Sequence, residues 1–313
     1  MKLGISHQRP QDLNDDHFAY LRKMGVETME VRLPTKDATF DTLRDIRDTV
    51  AESGFELHEI MLDDLYSSKE FTLGLPGRDA TIDRFNEFLT DLGRLGIQYT
   101  TYAWHTGGAY MSGMTKTRGV QTRELVASEA LALPDAYDTQ YDDATMWANF
   151  DYFMERVLPV ARETGVKLQL HPNDPPLTHQ GVARIFRSTD AYRDAIERTG
   201  GDNHAGILFC VGTWSEMPGP AGEGEDIVAA IREFGPTGHI HQVHLRNTSG
   251  PLPRFHETFP DNGYLDLPAI VRALAEVGFD GIVVPDHVPG RGRGQVEEAF
   301  IFGYIRALIQ ACG

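Results

Sequence analysis

Leu168-Gln169-Leu170-His171-Pro172-Asn173-Asp174-Pro175-Pro176 is a short apolar run that ends in a histidine and turns at once through a proline- and Asx-rich loop. A buried strand that carries one side chain to the rim of a sheet reads this way. The event recurs three times downstream. Gly206-Ile207-Leu208-Phe209 runs into Cys210, His241-Gln242-Val243 into His244, and Gly281-Ile282-Val283-Val284-Pro285 into Asp286. The spacings of 39, 34 and 42 residues each hold a strand, a loop, a helix and a second loop. Four successive βα units therefore end in His, Cys, His and Asp, and each of these is a ligand for a first-row metal ion.

Upstream, four further strands are expected at 2–6, 28–33, 55–61 and 98–104, with amphipathic helical patterns between them. Gly25, Gly54, Gly96, Gly165 and Gly278 each fall between a helical pattern and the next apolar run, the place of a glycine just past a helix end. Eight strands alternating with helices, and no short sequence repeat, predict an α/β fold, a (β/α)8 TIM barrel spanning 1–313 as one unit. An open doubly wound sheet is the structural alternative, with less use for eight parallel strands. Two connections exceed what a turn requires. One runs over 105–143 and carries Gly107, Gly108, Lys116, Arg118 and Arg123; the other runs over 246–266. Both leave the C-terminal ends of strands, where barrels keep their chemistry, and are expected to be active-site loops or lids.

Composition narrows the function classes. A formal charge of −17 argues against nucleic-acid binding, which needs basic patches. It still admits an anionic substrate, because an ion and a few arginines reverse a local potential. No apolar run reaches the ~20 residues of a membrane span, and Met1-Lys2-Leu3-Gly4 leads straight into a strand without a signal peptide. The two cysteines, Cys210 and Cys312, suit a reducing cytoplasm better than a disulfide framework. A small-molecule substrate is implied, and assembly into a homo-oligomer stays open.

Taken singly, a strand-end histidine is more often a structural hydrogen-bonding group, and a lone strand cysteine a small hydrophobe. Four ligand types at four adjacent strand ends are hard to explain by core packing. Two imidazoles, a thiolate and a carboxylate suit Mn2+, Fe2+, Co2+ or Zn2+ better than Mg2+ or Ca2+. Four protein ligands leave room for substrate only at higher coordination number, which favours Mn2+ or Fe2+ over tetrahedral Zn2+. His287, next to Asp286, points elsewhere and is a candidate acid/base beside the ion. Arg246 and Arg118 are candidates to neutralise a substrate carboxylate. His7, His105 and Arg32 add to the rim, whereas His179, His204 and His256 read as structural or surface groups.

At this point a resemblance enters. Leu73-Gly74-Leu75-Pro76-Gly77-Arg78-Asp79 resembles the "LGLPGRD" segment of the mannonate dehydratases, and His171-Pro172-Asn173-Asp174-Pro175-Pro176 is similar to their "HPDDPP". Phe209-Cys210-Val211-Gly212-Thr213, His244-Leu245-Arg246-Asn247 and Pro285-Asp286-His287 resemble "FCTGS", "HFRN" and "PDH". The resemblance implies a xylose-isomerase-like barrel that removes water from a sugar acid to give a 2-keto-3-deoxy acid. It also implies Mn2+ held at the positions of His171, Cys210, His244 and Asp286. Two departures accompany it. The family's histidine after "HFRN" falls on Pro260, and its tail Gly-Tyr pair has no tyrosine in the comparable stretch 298–303, with Tyr304 nearby. A dehydratase is therefore the leading expectation. A sugar isomerase or epimerase on the same ion, or a weakened sugar-acid-binding protein, are the alternatives.

Overall fold

The computed structural model describes residues 1–290 and 296–312. Along them run β1 (Lys2–Gln8), β2 (Thr28–Leu33), β3 (Glu56–Leu62), β4 (Tyr99–Ala103), β5 (Gly113–Thr117) and β6 (Val120–Val126). There follow β7 (Lys167–His171), β8 (Ala205–Cys210), β9 (Ile240–His244), β10 (Asn247–Thr248), β11 (Arg254–Thr258) and β12 (Ile282–Val284). Strands β1, β2, β3, β4, β7, β8, β9 and β12 lie side by side in that order, and β12 pairs in parallel with β1 to close a barrel. The expected strands fall within two residues of those observed.

The helices outside follow from apolar spacing. Arg78–Leu95 buries Ile82, Phe85, Phe88, Leu89, Leu92 and Leu95, a stripe at helical period. It stops at Gly96, whose φ of 72° lets its N–H reach back to the carbonyls of Leu92 and Gly93. Beneath Asp143–Thr164, Trp104 packs against Phe71, Phe150, Phe153 and Phe186, which anchors the end of β4.

The barrel interior is partly polar. Thr101 Oγ1 donates to Glu59 at 2.7 Å, and Gln169 Nε2 reaches Glu59 at 3.1 Å and Gln242 Oε1 at 3.2 Å. Glu59, Thr101, Gln169 and Gln242 thus satisfy one another, as burial demands.

The two long connections differ from the separate loops expected of them. Each folds into two strands, and the four pair antiparallel in the order β10-β11-β6-β5. The extra sheet has its own small core of Leu125, Ala127, Ala130, Leu252 and Phe255. Within β11 the alternation is plain: Phe255 and Glu257 are buried while His256 between them is not. No helix among the described residues is long and apolar enough to cross a membrane.

Candidate metal centre

His171, Cys210 and His244 are the last residues of β7, β8 and β9, and Asp286 lies two residues past β12. Pairing holds them level: His244 is the register partner of both Cys210 and Val284. One ligand atom from each of the four lies within 4.8 Å of all the others. Two backbone departures serve this convergence. Asp286 has φ of 52° and His7 a φ of 58°, at a register shift in β1. Left-handed non-glycine residues cost about 1–3 kcal/mol each, and such strain gathers at functional sites.

The donor atoms fit one first-row cation. His171 Nδ1 donates to the Pro172 carbonyl at 2.7 Å, which fixes the tautomer and leaves Nε2 as a lone-pair donor. Burial pulls its pKa down to about 4, so the ring is the neutral imidazole that a metal requires. His244 Nδ1 is buried, lacks a hydrogen-bond partner among the described residues, and stands 3.2 Å from Asp286 Oδ1. Its other nitrogen sits 3.0 Å from Gln242 Nε2, which in turn donates to Glu30. Cys210 Sγ accepts from the Thr213 hydroxyl at 3.1 Å and from the Thr213 N–H at 3.4 Å. Burial works against the Asp286 charge, but the neighbouring His287 and His244 outweigh it and hold the carboxyl well below its ordinary range.

Around this quartet lies a cavity of about 250 Å3, lined among others by His7, Glu30, Arg32, Glu59, Tyr66, His105, Tyr110, Arg184 and His287. That volume suits a small polar ligand. His287 Nδ1 lies 2.5 Å from Glu257 Oε1, and the Tyr110 hydroxyl is 2.8 and 2.9 Å from its two ring nitrogens. Burial disfavours the imidazolium, yet Asp286 and Glu257 prevail and raise its pKa. The ring is thus held by a carboxylate from the extra sheet and faced by a phenol.

The two candidate arginines are placed differently from the sequence expectation. Arg246 does not line the cavity. It is buried and pairs with Asp286 at 2.9 Å, Asp174 at 2.7 Å and Glu216 at 2.8 Å. Its guanidinium donors are thus engaged by three carboxylates. Arg118 also lies outside the cavity lining. It is the first central residue of the β5–β6 hairpin, at φ 48° before Gly119 at 83°, the positive pair that a type I′ turn needs. Its guanidinium, half exposed, pairs with Asp261 at 2.6 Å.

Three groups that matter here had no individual signal in the sequence reading. Arg123 joins Asp174 and Glu216, each at 2.5 Å, and Glu257 at 3.0 Å. Burial, with Asp174 alongside, pushes the Glu216 carboxyl up against the pull of both arginines. Tyr110 arrives on the Gly107-Gly108 loop, which has no spacing rule to announce it. Glu257 was legible in principle, from the Phe255-His256-Glu257 alternation. Tyr304 lies on the helix Val296–Cys312, stacked on Phe300 and outside the cavity lining.

Residues 127–304 match the family model described as D-mannonate dehydratase (UxuA). A mannonate dehydratase of Oceanobacillus iheyensis is 28% identical over 315 residues, covering 87% of this chain and 85% of its own. Among solved structures, the mannonate dehydratase of Streptococcus suis superposes with a TM-score of 0.87 at 22% identity, covering 99% of this chain and 94% of its own. A xylose isomerase domain protein from Planctomyces limnophilus gives a TM-score of 0.66 at 14% identity, with 99% and 97% coverage. At those identities the two structures speak for the fold, a xylose-isomerase-like TIM barrel.

Proposed function

Because the chain belongs to the D-mannonate dehydratase family, we propose that it removes water from an aldonate, with one first-row transition ion held by His171, Cys210, His244 and Asp286. The convergence of those four donor atoms within 4.8 Å carries the reading. Mn2+ is the first choice, with Fe2+, Co2+ and Zn2+ behind it, since the donor set is borderline-soft and substrate needs open positions. The thiolate ligand must stay reduced, which suits a cytoplasmic setting. When bound, the ion supplies Lewis acidity, easing loss of the proton next to a carboxylate.

The chain's own residues account for the rest. Loss of the C2 proton and of the 3-hydroxyl as water leaves an enol, which ketonises to the 2-keto-3-deoxy acid. His287 exchanges the proton, oriented by Glu257 through its Nδ1. Tyr110 shares that proton through its hydrogen bond to the same ring. Arg246 and Arg123 keep Asp286, Asp174 and Glu257 in place without touching substrate.

A screen of hexonates and pentonates with added Mn2+, read out as 2-keto-3-deoxy product, tests the reading. Product from one aldonate is the expected result. Isomerised or epimerised sugar without water loss would overturn dehydration, as would binding without turnover across the panel.

A further inference from the structure

Several arginines among the described residues reach the end of the barrel that holds the site, and most meet carboxylates. Arg123 and Arg246 meet the buried carboxylates already described, and Arg32 pairs with Asp63 at 2.5 Å. Arg184 is different. It is 1% exposed and lines the cavity. Among the described residues no carboxylate oxygen lies within 4.0 Å of its guanidinium nitrogens. Nη1 donates to the Trp104 carbonyl at 3.4 Å and Nη2 to the Gly107 carbonyl, while Nε is buried with no hydrogen-bond partner. Burial, only partly opposed by Asp174, pushes this guanidinium down to about 10, the opposite of Arg123 and Arg246.

A buried cation without a counter-ion is costly, and a fold retains one where an anion comes to meet it. The neighbouring backbone makes room. A Cβ on Gly108, itself a cavity-lining residue, would stand 2.6 Å from His179 Nε2 and 2.8 Å from Arg184 Nη2, so a side chain there would have to displace one or both. The other cavity-lining arginine already has its carboxylate. Arg184 is left as the planar fork with donors to offer, and a carboxylate matches that fork.

Resting on the dehydratase reading, we propose that Arg184 receives the carboxylate of the sugar acid and thereby selects aldonates over neutral sugars of the same carbon chain. The competing role is structural, a brace for the carbonyls of Trp104 and Gly107. The test uses the Mn2+-loaded protein, with D-mannonate and D-mannitol as probes that differ by a carboxylate against a hydroxymethyl group. Calorimetric Kd, steady-state KM and kcat, metal content and probe-free melting temperature are measured for wild type, Arg184→Gln and Arg184→Lys. Wild type should prefer D-mannonate by roughly 10²-fold, the worth of a desolvated charge pair. Arg184→Gln should erase that preference and raise KM more than it lowers kcat, with the ion retained. Arg184→Lys should recover part of the preference.

If Arg184→Gln keeps the ion and still prefers D-mannonate, the proposal fails. If that variant is too unstable to assay, Arg184→Lys decides, since an unchanged KM there overturns the carboxylate role. Arg184-dependent binding with no 2-keto-3-deoxy product from any aldonate would sink dehydration and leave Arg184 standing. Product formation with undiminished preference in Arg184→Gln would do the reverse. A wild type that prefers no hexonate over its alditol removes both.

Discussion

His287 directly follows Asp286, yet the two side chains meet different partners. Asp286 faces the ligand quartet, while His287 turns to Glu257 and Tyr110. His287→Asn should therefore retain about one ion per chain and lose roughly 10²–10⁴ in turnover, the usual worth of a positioned acid/base. Metal analysis beside kcat checks this, and loss of the ion would make His287 a ligand or its necessary support. The arginines separate in the same way. Arg246→Leu leaves Asp174 and Glu216 to Arg123 alone and takes the guanidinium from Asp286, all in a buried setting, and should cost about 3–5 kcal/mol, with weaker ion binding besides. Arg118→Ala, at a half-exposed turn, should stay within about 0.5 kcal/mol and leave kcat unchanged. Denaturant melts and kinetics on the two variants decide; a collapse of kcat in Arg118→Ala would return that residue to the substrate.

The extra sheet is the element that makes the site more than four strand ends. Its strands β6 and β11 supply Arg123 and Glu257, and its core is small enough to fail separately from the barrel. Phe255 is fully buried there. Phe255→Ala should cost about 3–5 kcal/mol locally, and limited proteolysis should then cut within 105–126 and 246–260 before the barrel opens. Uniform resistance, or cleavage spread over the whole chain, would show the sheet to be no separate unit. The barrel strands were legible because the apolar runs are followed by turn chemistry and five of them are preceded by a glycine just past a helical pattern, all local signals. The extra sheet was not. Arg254 pairs with Val126 across most of the chain's second half, and no local pattern states which distant run a short polar strand will join. For the same reason Tyr110 and Arg184 stayed hidden: their meaning comes from what lies across the cavity, not from their neighbours in sequence.

At the scale of the molecule, the ion would tie β7, β8, β9 and the turn after β12 together. Chelation should lower the melting temperature, since ligand at 100 times its Kd stabilises by about 2.7 kcal/mol, worth several degrees in a protein of this size. Cys210→Ala should melt near the chelated wild type and ignore added Mn2+ in a thermal-shift titration; equal melting with and without chelator in the wild type would argue against a resident ion. Barrel closure has a further consequence. Lys2 pairs with Ile282, so the first strand made waits for the last one. At roughly 5–20 residues per second on the ribosome, that wait lasts on the order of a quarter of a minute to a minute. Until β12 has been made, the barrel strands form an open sheet with two bare edges, and Asp286 is not yet there to join Cys210. Loading of the complete four-residue site therefore follows closure of the barrel, and the open-edged intermediate is the species most exposed to edge-to-edge aggregation.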